Sequence, residues 1–298
     1  STVAIIIDNC KAPLYALDME RAVFYQRCSS IQGASSSIVV EQRWYAPRQF
    51  KHLLVHEITV DTSAVSSGVR LLLSLQNGTS SPDITFNPIT VSSQGVCSTS
   101  GTINTPEDPD EPLFEGVGVA YTNVPSTIDT PAQTVKTYYF ITVIRTTLDT
   151  DPAQLTSLTL AEYQEAVSAE QDLLPVHMAQ WKEIWESGIV IGGNPTLAAV
   201  VNSSLYWILS SVRDDWPFGL SPGSLSSNSY NGHSFWDTET WMYPNMVLLY
   251  PALTKSLLQY RIDRIKGAMK KAKSYSPPYS GAMYPWESAL TGIECTPI

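Results

Sequence analysis

Thr137-Tyr138-Tyr139-Phe140-Ile141-Thr142-Val143-Ile144 is a run of β-branched and aromatic residues without a single charge. A run this continuously apolar predicts a strand buried on both faces, with no wet side. It lies inside a longer candidate strand, Val135 to Thr146. Toward the N-terminus, Val3 to Ile7, Ser37 to Trp44, His52 to Val60 and Val69 to Leu75 share its chemistry, and clusters of Gly, Pro, Ser and Asn separate them. Strands of this length without interleaved helices predict antiparallel sheets packed as a β-sandwich, not a βαβ sheet. The stretch Asn104-Thr105-Pro106-Glu107-Asp108-Pro109-Asp110-Glu111-Pro112 is too rich in proline for a regular element. It reads as a surface loop whose acids are solvated.

Past Asp151-Pro152 the period changes from strand to helix. Leu160 to Leu174 has helical composition, and Pro175 is expected to open a second helix, where a first-turn proline is tolerated. His177, Trp181 and Trp185 then recur every four residues, which puts them on one helix face as a packing stripe. Gly188 to Gly193 ends that segment. Leu197 to Val212 is again helical, and Met242 to Leu249 gives a short run before Pro251. Leu253 to Lys273 has the clearest amphipathic pattern: Leu258, Ile262, Ile265 and Met269 step by four, three and four, with Arg264 and several lysines mostly opposite.

The chain has 298 residues, 43% of them hydrophobic and 10% aromatic, enough to bury a large core in more than one domain. A net charge of −10 makes a nucleic-acid backbone an unsuitable partner and suits a neutral substrate or an acidic working compartment. Cys10, Cys28, Cys97 and Cys295 form no CxxC pair, so a zinc ribbon or thioredoxin-type site is not supported; two disulfides and four buried thiols both remain open. The sequons at Asn77 and Asn202 are about as many as chance gives. No signal peptide and no membrane span is read in the sequence, and the missing initial Met suggests a processed or excised chain.

Two segments mix aromatic and polar residues in a way a core helix does not. One is Tyr230-Asn231-Gly232-His233-Ser234-Phe235-Trp236-Asp237-Thr238-Glu239-Thr240-Trp241-Met242, after the loop Gly219-Leu220-Ser221-Pro222-Gly223. The other is Gly281-Ala282-Met283-Tyr284-Pro285-Trp286-Glu287-Ser288-Ala289, ahead of Gly292-Ile293-Glu294. Sugar rings present apolar C–H faces that pack on indoles, and their hydroxyls need fixed acceptors. A carboxylate accepting two adjacent hydroxyls separates epimers, because the wrong one leaves a buried charge partly unpaired. At a helix start, Asp237 and Glu239 fit equally well as ordinary cap or first-turn acids.

Gly232-His233-Ser234-Phe235-Trp236-Asp237-Thr238-Glu239 resembles the signature of glycoside hydrolase family 65. Tyr250-Pro251, Tyr260-Arg261, Gly281-Ala282, Trp286-Glu287-Ser288-Ala289 and Gly292-x-Glu294 follow in that family's order, and the loop at Gly219 is most similar to its animal-type branch. The resemblance implies a β-sandwich over residues 1–150 that lacks its first strands, and a helical linker over 151–193. Residues 194–298 would be the start of an incomplete (α/α)6 barrel. Trp236 and Asp237, with Trp286 and Glu287, would bind the terminal glucose, supported by His233 and Glu239. The general acid and base are expected after Ile298, with no catalytic residue certain before it.

The implied activity is inverting hydrolysis of an α-glucoside, releasing glucose from a glucosyl-galactose-type disaccharide without metal or cofactor. Phosphorolysis within the same family is not excluded by these residues. Hydrolysis of α,α-trehalose, as by acid trehalases, is the alternative. A non-catalytic carbohydrate-binding or structural fragment is the alternative from another class. A second polypeptide completing the barrel is a further expectation, as is a secreted or lysosomal/vacuolar setting.

Overall fold

The computed structural model describes residues 4–34, 37–76, 82–108, 110, 116–223 and 229–296. The chain is mixed α and β, a large β-sheet region followed by helices, and it divides into two compact units. The first holds residues 1–105 and 114–182; the second holds 106–113 and 183–298. The sequon at Asn77 lies outside the described residues, while Asn202 is exposed on a helix.

The first unit begins with strands β1 (Ala4–Ile7), β2 (Cys10–Lys11), β3 (Leu14–Asp18), β4 (Val23–Cys28) and β5 (Ser30–Ile31). The next five are β6 (Val39–Tyr45), β7 (Leu53–Asp61), β8 (Val69–Gln76), β9 (Ile84–Phe86) and β10 (Thr90–Val91). Strands β11 (Val96–Ile103), β12 (Gly116–Thr122), β13 (Thr127–Thr130) and β14 (Val135–Thr146) complete it. Helices α1 (Leu155–Ser168) and α2 (Glu170–Ile184) follow.

Among the described residues, a nine-stranded sheet runs in the order β10-β11-β12-β14-β7-β6-β4-β3, with β9 also on β11. A three-stranded sheet, β1-β8-β13, packs against it. Between them Ile5, Ile7, Leu71, Leu73 and Ile128 meet Val40, Ile58, Val60 and Phe140. The opposite face of the large sheet carries Val23, Tyr45, Val55, Ala120, Ile141 and Val143, against Tyr163 and Ala166 of α1 and Leu173 of α2. Strand β14 therefore serves both layers, Phe140 to one side and Ile141 and Val143 to the other, as its unbroken apolar run requires. Cys10 and Cys28 are disulfide-bonded and sit in the inter-sheet core, while Cys97 and Cys295 are free thiols. Closing a loop of 18 residues contributes about 3 kcal/mol by the chain-entropy relation.

Glycine lets α1 approach the sheet: a Cβ on Gly118 would stand 2.5 Å from Thr159 Oγ1. A polar tie fixes the same helix, with His52 between Glu162 and Asp149 at 2.9 Å each, and Arg145 Nη2 donating to Glu162 at 2.6 Å. Pro175 lies inside α2, not at its start, because the break between the helices falls at Ala169. The stripe packs as expected at its first two positions. His177 and Trp181 are buried, His177 Nε2 meets the Ala22 carbonyl at 3.2 Å, and Arg48 lies over the Trp181 ring.

In the second unit, α3 (Pro195–Ser210) starts at a side-chain cap, Asn194 accepting from Leu197 N–H at 3.0 Å, with Pro195 in its first turn. Strand β15 (Ser234–Phe235), a π-turn at Thr238–Met242, α4 (Tyr243–Met246), α5 (Pro251–Asp263), α6 (Ile265–Ser274) and strand β16 (Glu287–Ser288) follow. The amphipathic pattern read over 253–273 is inverted in the structure. Leu258, Ile262, Ile265 and Met269 are exposed, whereas Leu257, Tyr260, Arg261, Arg264, Ala268 and Ala272 are buried. The arginines tolerate burial because backbone carbonyls and rings receive them. Arg264 Nε donates to Leu290 O at 2.6 Å, and its guanidinium lies 4.5 Å from the Tyr260 ring centre.

Candidate functional site

Both segments singled out in the sequence meet in the second unit. Strand β15 pairs with β16 in antiparallel register, Ser234 opposite Ser288 and Phe235 opposite Glu287. The pairing places Trp236 beside Trp286, with ring centres 5.3 Å apart at 42°, and Trp236 N–H donates to Trp286 O at 3.3 Å. Trp241 adds a third ring, 6.3 Å from Trp236. Large apolar rings are rarely left open without reason, yet Trp236, Trp286 and Trp241 are 38%, 53% and 62% exposed.

Beneath this open aromatic surface the polar groups are tightly tied. Glu287 is buried, and His233 Nδ1 lies 2.7 Å from its Oε1. Arg261, also buried, binds Glu239 through Nε at 2.7 Å and Nη2 at 2.9 Å. The same guanidinium donates to Phe235 O at 2.9 Å and Ser288 Oγ at 3.1 Å, so it clamps both strands of the pair. Tyr260 adds a hydroxyl contact to Ser288 Oγ at 3.0 Å. Glu294 accepts the N–H groups of Trp286 and Glu287 at 3.2 Å each. Burial works to raise the Glu294 pKa, but hydrogen bonds from Lys271, Thr296 and those two amides outweigh it and bring the carboxyl to about 2.

Asp237 stands apart from these ties. It precedes the π-turn, is partly exposed, and makes no side-chain cap hydrogen bond to it. The structure thus joins His233 to Glu287, Trp236 to Trp286 and Glu239 to Arg261, and leaves the Asp237 carboxylate, on the residue after Trp236, without a capping role. Cavities of about 640 and 300 Å³ lie against the sheets of the first unit, and none of these residues lines them. No group of three His, Cys, Asp or Glu among the described residues could hold a metal ion, and no described helix is long and apolar enough to cross a membrane.

Two contributors have no motif of their own in the sequence. Arg261 is marked only as half of the Tyr260-Arg261 pair, and the two arginines among the lysines of 253–273 are the available signal. Glu107 reads by composition as one of the solvated acids. Instead it accepts from Leu290 N–H at 2.7 Å and the Thr291 hydroxyl at 2.6 Å, and neighbouring Asp108 is buried against Lys270 Nζ at 2.9 Å. A run of acids read by composition alone does not show that backbone donors await it.

Residues 204–298 match the central catalytic domain of glycosyl hydrolase family 65, the region that holds both segments. The chain is a relative of the family-65 proteins, as its motifs indicate. It is 39% identical to protein-glucosylgalactosylhydroxylysine glucosidase of Dictyostelium discoideum over 98% of its own length and 41% of that protein. It is 44% identical to a kojibiose hydrolase of Flavobacterium johnsoniae over 45% of its length and 19% of that protein. A putative kojibiose phosphorylase from human microbiome has the same fold, with a TM-score of 0.73 over 99% of this chain and 39% of that one, at 16% identity. The chain thus spans about two fifths of the Dictyostelium protein's length.

Proposed function

We propose that this chain carries part of the glucose-binding subsite of an inverting α-glucoside hydrolase that releases glucose from a glucosyl-galactose-type disaccharide. The observation that supports the proposal is the β15–β16 pairing, which brings Trp236 beside Trp286, with Asp237 the residue after the first indole and Glu287 the residue after the second. The indoles would receive the apolar face of the terminal glucose, and Asp237 would accept its hydroxyls. Glu287, already engaged by His233, would line the pocket, with His233 and Glu239 as supports.

On this reading residues 1–150 are the β-sandwich, 151–193 the linker and 194–298 the start of an (α/α)6 barrel. The exposed stripe Leu258, Ile262, Ile265 and Met269 supports the last assignment, because neighbouring barrel helices would cover it. Inversion needs an acid and a base roughly 6.5–9.5 Å apart with a water between them. On the family pattern both come from sequence after Ile298, whether in one polypeptide or in a second one that completes the barrel.

The relatives' names favour a glucosyl-galactose or kojibiose-type α-glucoside over trehalose. Glucose released from glucosyl-α-1,2-galactose and from trehalose by the complete enzyme separates the two substrates. In that enzyme Asp237→Asn should lower kcat/KM by roughly a hundredfold or more with little loss of stability, the scale of one oriented charged hydrogen bond. Near-parental kcat/KM in that variant would reject the assignment.

A further inference from the structure

The second unit includes residues 106–113, an excursion from the strand-rich half of the sequence. Its described acids all meet donors of the same unit. Glu107 receives the Leu290 N–H on Oε2 at 2.7 Å, the Thr291 N–H at 3.2 Å to both oxygens, and the Thr291 hydroxyl on Oε1 at 2.6 Å. Asp108 and Asp110 meet Lys270 Nζ at 2.9 and 3.1 Å, which ties the excursion to α6.

Leu290 is two residues past β16, the short strand that contains Glu287 and follows Trp286. That strand pairs over only two residues, too little to fix its own position. The backbone donors around it are taken by carboxylates instead, Glu294 for the residues entering it and Glu107 for those leaving it. On the far side, Gly267 of α6 touches the Gly292 carbonyl so closely that a side chain would not fit, so the loop is seated against a helix at its tip.

We infer that Glu107 is a positioning residue that holds the Trp286–Glu287 half of the site against the Trp236–Asp237 half. The inference rests on the glucose-subsite reading only for its effect on sugar binding. Without Glu107, three donors on two consecutive residues lose their acceptor, and the loop must shift to find water. Such a shift changes the spacing of the two indoles first, since one is on the loop and the other is not.

Three readouts on the intact chain test it. Cys295 Sγ lies 3.7 Å from Glu107 Oε1, and its thiol is raised to about 11 by burial and then by that carboxylate. Glu107→Gln should therefore move the pH profile of Cys295 alkylation toward lower pH, reporting that the contact exists. Coupling between Trp236 and Trp286 is read as the part of the exciton circular dichroism lost in Trp286→Phe. That part should shrink in Glu107→Ala and less in Glu107→Gln, which keeps one acceptor oxygen. Glucose affinity, followed by tryptophan fluorescence, should weaken about tenfold in Glu107→Ala, which corresponds to about 1.4 kcal/mol of lost positioning.

A shifted Cys295 profile with unchanged dichroism and unchanged affinity would overturn the positioning role. An unshifted Cys295 profile would overturn the contact itself. Absence of glucose binding by the parent chain would count against the subsite reading, while the dichroism would still decide the role of Glu107.

Discussion

The two units are held by different physics. In the first, apolar side chains from two sheets and two helices fill two layers, and sequence period translates directly into burial. In the second, the parts around the candidate site are held by Arg261, Arg264, Glu107, Glu294 and the Asp108–Lys270 pair. A core made of apolar layers tolerates local change if volume is kept. A site made of charged clamps depends on single atoms, since each buried charge must find its partner.

That contrast is open to direct attack, beginning with the largest effect. Leu71→Ala, at the centre of the inter-sheet layer, should lower stability by about 3 kcal/mol in guanidinium unfolding, within the range for emptied core positions. It should leave the tryptophan dichroism of the site untouched. Arg261→Ala should cost about 2 kcal/mol, because it leaves acceptors on both strands of the β15–β16 pair without their donor, and should change that dichroism. Loss of the site signal in Leu71→Ala would erase the distinction between the units.

Acid should separate the two regions next. Burial lowers His56 to about 3, and burial is also the main cause that lowers His177 to about 4. Both rings stay neutral in the folded first unit while the unfolded chain takes up their protons, so their contribution is full above pH 6.5 and falls as pH drops toward 4. Glu294 loses its contribution in the same direction but in a lower window: its depressed pKa gives stability above about 4.5 that is lost only as pH falls toward 2. Unfolding of the first unit followed by hydrogen exchange should therefore weaken at pH 5, where the loop around β16 keeps its protection. Replacing both histidines by Phe should flatten that dependence between 6.5 and 4. A steep slope that survives the replacement would assign the acid sensitivity elsewhere.

The smallest effect is expected at the pair Arg70–Asp129, 2.7 Å apart but open to solvent on both sides. Asp129→Asn should leave the unfolding midpoint where it is, because water screens such a pair. A measurable loss there would mean that surface charge matters in the first unit as well.

The same division explains how much could be read beforehand. Strands β1, β6, β7, β8 and β14 stood out because Val, Ile and aromatic runs are dictated by apolar layers. Strands β11 and β12 did not, since Ser98, Ser100, Gly101, Gly116 and Gly118 dilute them; Gly118 is there for the approach of α1, which a one-dimensional pattern does not display. The helical stripe at Leu258 was visible as a period, but a period does not say which face turns inward when two arginines find carbonyls and rings. The aromatic–acid pairs were legible as a motif, and their meeting across β15 and β16 required the fold. Glu107, some 180 residues from its loop, had no local signal at all.

The subsite itself is tested most directly by titrating the intact chain with glucose and with galactose while following tryptophan emission, in the parent and in Asp237→Asn. Quenching by glucose, weaker quenching by its epimer, and loss of the glucose response in the variant are the expected outcome. Equal responses to both sugars, or an Asp237→Asn chain that binds glucose as the parent does, would contradict the placement of glucose against Trp236 and Asp237.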